Sequence, residues 1–378
     1  MPNSFRQWFY AQPMINDMLD LDQFELRELP IPDLKNGQAL VRIKLINVHS
    51  HTRTRMALGM TKIGETERTN YACAEVIQSR DPAFTEGDVI ACQAGWQDYQ
   101  VISSADAAIG YAPATPMVKA LNHTNSQWTY VFRPAMVEMW PPEVLMEMFG
   151  TSGMTAYFGM REVGPITPRD AVAVAAATGS VGSIAAQLAR IAGAYVVGLA
   201  GSVDRCTWAK EALSIDACLD YHAADLLDKI RLSLPDGIDV YSDGAGGPLT
   251  ATVLKHMNRH GRLFSYGSAA AFYADRIYSS KERPTLRQRF GISQEVERML
   301  KERLIRSEVW IVDAFYHERL KAEDELSRLM LSGVLKPITT VVEGFERLPE
   351  AIVGLYRGVR VGKLQIRFES SPSCPEVG

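Results

Sequence analysis

The sequence predicts an α/β protein: a doubly wound parallel sheet joined to a second domain of antiparallel β-structure. Three observations carry that prediction. A glycine-rich turn within Ala171–Gly182 links a short apolar run to an amphipathic helical one. From Gly150 onward, apolar runs alternate with helical patterns, which implies right-handed parallel crossovers. Before Gly150 the chain instead offers short β-type runs separated by turn signals.

Taken in order, those early runs are Phe24 to Leu29, Ala39 to Ile46, Ala74 to Gln78, Val89 to Ala91 and Tyr99 to Ile102. Lys35-Asn36-Gly37 and Glu86-Gly87-Asp88 punctuate them, so this part reads as an antiparallel, partly barrel-like domain. The alternating part has candidate strands at Ala171, Ala194, Ala217, Ile238, Arg262 and Val309. After about His317 come a helix, a strand near Ile338 to Val342, a helix Leu348 to Tyr356 and a strand Gly362 to Phe368. A return to the first domain is the expected use of these last elements. The resulting division is 1–150, then 151–316, then 317–368, with 369–378 as a polar, proline-containing tail. A chain of 378 residues suits two domains, since single cores seldom grow beyond about 250–300 residues.

The glycine turn carries the most chemistry. Ala177, Gly179 and Gly182 occupy the first, third and sixth places of a G-x-G-x-x-G dinucleotide fingerprint. Val181, Ile184, Ala185, Leu188 and Ile191 follow at helical spacing, so one face packs on a sheet. The segment Thr178-Gly179-Ser180-Val181-Gly182 is then a diphosphate cradle, with helix N–H groups and dipole facing the ligand. The second strand ends at Gly201 and Ser202, where an NAD site would place a carboxylate about 20 residues past the glycines. Arg205 and Lys210 come instead, which leaves room and charge for a 2′-phosphate. Asp204 is expected to face solvent. NADPH is the expected cofactor.

Composition narrows the remaining classes. The net charge of −4, with no basic stripe, argues against a nucleic-acid surface. No apolar stretch is long enough to span a bilayer, and MPNSFRQWFYAQ lacks the layout of a secretory signal, so a cytoplasmic location is expected. Cys73, Cys92, Cys206, Cys218 and Cys374 form no C-x-x-C pair, and their number is odd. Neither a disulfide framework nor a thiolate zinc lobe fits that spacing. His49 and His51 lie close together but lack a complementary ligand motif, so no metal is expected there.

Further motifs carry a resemblance. They include Phe24-Glu-Leu-Arg-Glu-Leu-Pro-Ile-Pro, Gly95-Trp-Gln-Asp-Tyr99, Gly153-Met-Thr-Ala-Tyr157-Phe-Gly and Ala175-Ala-Ala-Thr-Gly-Ser-Val-Gly182. Val197-Gly-Leu-Ala-Gly-Ser202, Cys218-Leu-Asp-Tyr221, Gly246-Gly247, Val342-Glu-Gly-Phe-Glu346 and Gly362-Lys363 extend it almost to the end. Together they resemble the zinc-independent medium-chain dehydrogenase/reductase superfamily. Within it they are most similar to the branch of prostaglandin and leukotriene reductases, plant double-bond reductases and curcumin reductase. The resemblance implies a Rossmann domain plus a GroES-like β-barrel domain built from the N-terminal region and the C-terminal segment. It also implies NADPH, no catalytic zinc and a homodimer. Met154 and Thr155 would sit under the nicotinamide, Gly267 would lie against the cofactor, and Arg205 would take the place of a 2′-phosphate-binding lysine. Tyr221 would pack at the same phosphate, or serve as a strand-end core aromatic. Tyr71 keeps the place of an active-site tyrosine.

The departures bear on substrate. His49-Ser50-His51-Thr52-Arg53 stands where the family has Asp-Pro-Tyr-Met-Arg, so a substrate-side tyrosine becomes His51. Phe272-Tyr273 replaces a Tyr-Asn pair, Gly244 replaces an Asn, and Arg360 replaces the Asn before the final Gly-Lys. The region Leu121 to Trp140 is longer than the family's and holds Trp128, Tyr130, Phe132 and Trp140, suited either to a bulky apolar pocket or to packing and dimer contact. The implied reaction is hydride transfer to the β-carbon of an α,β-unsaturated carbonyl, on a small-molecule substrate. Tyr71, Tyr273 and His51 are the candidate donors to the oxyanion and to the α-carbon. A charged His51 would add a pH dependence near its reference pKa of about 6.5. Two other outcomes stay open: reduction of a polyene or imine, or cyclisation after hydride transfer; and a non-catalytic nucleotide-binding protein.

Overall fold

The computed structural model describes residues 3–15, 18–57, 59–106, 129–267, 292–356 and 361–368. The chain divides into two compact units, residues 1–150 with 339–378, and residues 151–338.

The first unit opens with β1 (Ser4–Tyr10) and β2 (Phe24–Pro30), an antiparallel pair in which Ser4 faces Pro30 and Tyr10 faces Phe24. Then come β3 (Ala39–Asn47), β4 (Asn70–Ser79), β5 (Val89–Ala94), β6 (Tyr99–Ile102) and β7 (Thr129–Val131). β3 is buried at seven of its nine positions, which is why its sequence reads as a near-continuous apolar run rather than an alternation. Tyr130 and Phe132, both 2% exposed, pack edge to face with ring centroids 5.4 Å apart. This part of the aromatic-rich region is therefore packing; Trp128 lies outside the described residues.

The second unit holds β8 (Ala171–Ala175), β9 (Tyr195–Ala200), β10 (Ala217–Asp220), β11 (Ile238–Asp243), β12 (Met257–Ser265) and β13 (Arg306–Val309). All pairs are parallel and the order is β10-β9-β8-β11-β12-β13. Strand order reverses between β8 and β11, the switch point at which doubly wound sheets open a crevice at their carboxyl ends. β12 starts five residues before Arg262, because a register shift against β11 lets the polar segment Asn258-Arg259-His260 stay in the strand. The helix Ser180–Ile191 turns Ile184, Ala185 and Leu188 inward, as its spacing predicts.

The return to the first unit comes at Thr339 rather than near His317. The helix Arg319–Leu331 stays with the second unit, where Tyr157 donates to Glu325 at 2.7 Å. Gln187, on the Ser180–Ile191 helix, also donates to the Lys336 carbonyl at 3.0 Å. β14 (Thr339–Glu343) and β15 (Lys363–Arg367) then complete a seven-stranded sheet, β14-β15-β3-β4-β5-β7, with β6 also on β3. Among the described residues the strands of this GroES-like unit do not close into a barrel. Among the described residues the end strands β14 and β7 have one partner each, and β7 offers only three residues for pairing. Val41, Ile43, Ala72, Ile90, Trp96, Phe345 and Ile366 belong to this unit's core. No described helix is long and apolar enough to cross a membrane.

Candidate active site

In the second unit the fingerprint turn is shaped by close approach. A Cβ on Gly182 would stand 2.2 Å from the Ala176 carbonyl oxygen, and one on Gly179 would stand 3.1 Å from the same atom. Ala176 itself holds a φ of +51°, a strained value for a residue with a side chain. Gly179 is the N-cap of the Ser180–Ile191 helix and can offer no side-chain cap, so nothing from it competes for the first-turn N–H groups. The Ser180 hydroxyl is buried there without a hydrogen-bond partner, while Thr178 is buried and Val181 half-buried beside it. Bare N–H groups, an orphaned hydroxyl and a space that any Cβ would fill suit a phosphate.

The end of β9 gathers the next set. Ser202 caps the helix Val203–Leu213, its Oγ accepting from the Arg205 N–H at 3.3 Å. A Cβ on Gly201 would come within 2.9 Å of the Tyr221 hydroxyl, so that ring lies over the strand end. Gly201, Ser202, Arg205 and Tyr221 are thus brought together, with Asp204 and Lys210 exposed. The turn that follows β11, two strands away, depends on a residue that the sequence did not single out. Buried Asp243 accepts from Ala245 N–H at 3.0 Å, Gly246 N–H at 2.8 Å and the Thr250 hydroxyl at 2.6 Å. Burial nonetheless pushes its carboxyl above the usual range, the three donors opposing it. Gly267 approaches this turn so closely that a Cβ would stand 2.6 Å from the Gly244 carbonyl oxygen. On the helix Thr151–Phe158, Met154 is buried and Thr155 donates to the Thr151 carbonyl at 2.6 Å.

In the first unit, β3 ends at Asn47 and leads into the helix His51–Ala57. Asn70, the first residue of β4, fixes the connection by accepting from the His49 N–H at 3.0 Å. Three rings then meet. His49 stacks on His51 with centroids 5.0 Å apart, and Tyr71 stands edge-on to His49 at 6.0 Å. His51 Nε2 lies 2.8 Å from the Thr69 hydroxyl. Thr69 donates that hydroxyl proton to Glu67, which also accepts from the Thr69 N–H at 2.7 Å and the Thr61 hydroxyl at 2.6 Å. Arg55 pairs with the same buried carboxylate at 3.5 Å. Because Thr69 has spent its proton, it must accept from His51, which places the His51 proton on Nε2.

Electrostatics corrects the expectation for His51. Burial, with the charges of Arg55 and Lys363, takes its pKa down to about 3. The ring is neutral at physiological pH, and an imidazolium donor titrating near 6.5 is not available. Lys363, 4% exposed at the start of β15, places Nζ 3.5 Å from His49 Nδ1. Burial takes that amine down to about 7, against the pull of Glu147. His49 is held well below its usual value by burial and by Lys363. Neither Glu67, Thr69 nor Arg55 carries a motif, so sequence reasoning had no signal for this network. Tyr273 and Arg360 lie outside the described residues. Among the described residues, no group of three or more His, Cys, Asp or Glu could hold a metal.

Residues 6–109 match a family described as the N-terminal domain of oxidoreductase, and residues 180–302 match one described as zinc-binding dehydrogenase. The chain is 27% identical to the NADPH-dependent curcumin reductase of Escherichia coli, covering 92% of each. It is 26% identical to prostaglandin reductase 1 of Oryctolagus cuniculus, over 98% of this chain and 94% of that protein. The 2-alkenal reductase (NADP(+)-dependent) of Nicotiana tabacum is 29% identical over 78% of this chain and 75% of its own. The crystal structure of CurA from Vibrio vulnificus has the same fold, with a TM-score of 0.80 at 24% identity, covering 97% of this chain and 99% of that one.

Proposed function

The chain belongs to the zinc-independent branch of the medium-chain dehydrogenases/reductases, and on that premise we propose that it is an NADPH-dependent oxidoreductase of C=C bonds that reduces α,β-unsaturated carbonyl compounds. The observation that carries the cofactor half is the uncapped helix start at Gly179, with its orphaned Ser180 hydroxyl and the Gly182 close approach. Backbone N–H groups of Ser180, Val181 and Gly182 would hold the diphosphate, with Thr178 and Gly179 shaping the turn. Ser202 and Arg205 would hold the 2′-phosphate over Gly201, with Tyr221 packed beside it. Met154, Thr155 and Gly267 would line the nicotinamide, and Arg360 would complete the site.

Bound NADPH supplies the hydride to the β-carbon. The residues of the chain must then stabilise the charge that develops on the carbonyl oxygen, where one preorganised donor is commonly worth about 3–4 kcal/mol. Tyr71 is the donor proposed on the substrate side, with Tyr273 as a second. His51, neutral and donating Nε2–H to Thr69, shapes the pocket rather than protonating the substrate. The names of the relatives support an enone or enal as substrate. The test is NADPH consumption with a panel of enones, enals and quinones, with product masses recorded. Products two hydrogens heavier are expected. NADPH binding without turnover of any acceptor would overturn the reductase reading and leave a nucleotide-binding protein.

A further inference from the structure

His49 lies in the connection from β3 to the helix His51–Ala57, and its surroundings give it a use. Lys363 Nζ approaches Nδ1 at 3.5 Å. Below about pH 7 Lys363 is an ammonium group, with donors and no acceptor, so Nδ1 accepts and the single proton of the neutral ring lies on Nε2. That Nε2 is buried without a hydrogen-bond partner. An unsatisfied buried donor costs about 1–3 kcal/mol, a cost that an incoming acceptor would remove. The ring also packs on His51 and on Tyr71, the donor proposed above for the substrate side.

We propose that His49 Nε2–H donates to the carbonyl oxygen of the substrate, and that Lys363 restores its proton through Nδ1. The proposal deepens the reductase reading and rests on it. As charge develops on oxygen, the Nε2–H bond breaks and an O–H bond forms. Nδ1 takes a proton from Lys363 Nζ, leaving the other neutral tautomer and a neutral amine. The enol then becomes the ketone, its O–H proton returning to water as the α-carbon takes one. The ring resets by taking a proton from water at Nε2 and returning the Nδ1 proton to Lys363. No charged imidazole is needed at any stage, which agrees with the burial that holds His49 neutral. The charged and titratable groups around the relay are Glu147 from the helix Pro142–Met148, Arg55 from the helix His51–Ala57, Tyr71 from β4, and His51. Glu147 favours the ammonium form of Lys363, whereas burial opposes it.

The sign of the pH effect follows. The relay needs Lys363 charged, so it is present below about pH 7 and lost as pH rises through that value. His49→Phe should lower kcat by roughly 10- to 1000-fold with NADPH affinity unchanged, and His49→Gln, which restores a donor, should recover part of the loss. Lys363→Met should lower kcat and abolish the alkaline limb near pH 7, with circular dichroism confirming the fold. Nitrogen-15 NMR should find His49 as the Nε2–H tautomer in the wild-type protein. Wild-type kcat in His49→Phe, an alkaline limb that survives in Lys363→Met, or a majority Nδ1–H tautomer would each overturn the relay. A wild-type protein that oxidises NADPH with no enone would overturn the reductase reading, and the relay with it.

Discussion

Arg205 shows how a single residue joins sequence to function. It follows a strand end with no carboxylate, and its N–H is tied to the Ser202 cap, one residue past the Gly201 that the Tyr221 ring covers. Arg205→Ala should therefore raise the KM for NADPH at least tenfold while changing that for NADH little; steady-state kinetics with both cofactors decides it, and equal effects would remove Arg205 from the phosphate site. On the substrate side, Tyr71→Phe should lower kcat by roughly 10- to 1000-fold without altering NADPH affinity, as read by cofactor-fluorescence titration. Both were candidates from the sequence alone because their motifs are made of contiguous residues. The Glu67–Thr69–His51 network was not, since Arg55, Thr61, Glu67 and Thr69 share no period and meet only through the turns that lead into β4.

At the scale of elements, the fingerprint unit was the most readable because its demands are local. A strand buried on both faces must be apolar, and a helix start that crosses a strand end at van der Waals distance admits no Cβ. Gly182→Ala tests this. With the added methyl 2.2 Å from the Ala176 carbonyl oxygen, about 1–3 kcal/mol of stability should be lost, despite the better helix propensity of Ala. NADPH affinity should fall with it, by calorimetry, because the same shift displaces the first-turn N–H groups. Elements with weaker local signals were missed. β1 mixes Arg6 and Gln7 with aromatics, and it is held by its ladder with β2 and by the Arg6 side chain and N–H on Asp98, at 2.9 and 2.8 Å. β7 has three residues and exists only by pairing with β5. Nothing in their own stretches outweighs ordinary loop composition.

For the whole molecule, two buried bases make stability depend on pH. The pKa of His51 falls on folding from its ordinary value of about 6.5 to about 3, so between those values the unfolded chain binds the extra proton. Stability should thus fall as pH drops below about 6.5. The melting temperature of the wild type should decline from pH 7 to pH 5, and that of His51→Phe should decline less steeply; identical slopes would refute the assignment. Lys363 acts in the alkaline range by the same rule, adding stability as pH rises from about 7 towards its ordinary value of about 10.4. The sequence by itself determined the doubly wound sheet and the fingerprint turn, because periodicity and glycine geometry are properties of contiguous residues, and its missing carboxylate is what suggests the proposed 2′-phosphate set. It also marked His49 and His51 as departures from the family, without their chemistry. Only the tertiary structure decided how the described strands of the first unit's sheet are ordered and that the chain returns to that unit at Thr339. It alone placed Lys363 against His49, more than 300 residues away in sequence, where burial sets the protonation states of both. Desolvation and charge pairing depend on what surrounds a group in space, and the pattern of one stretch of chain carries no record of that.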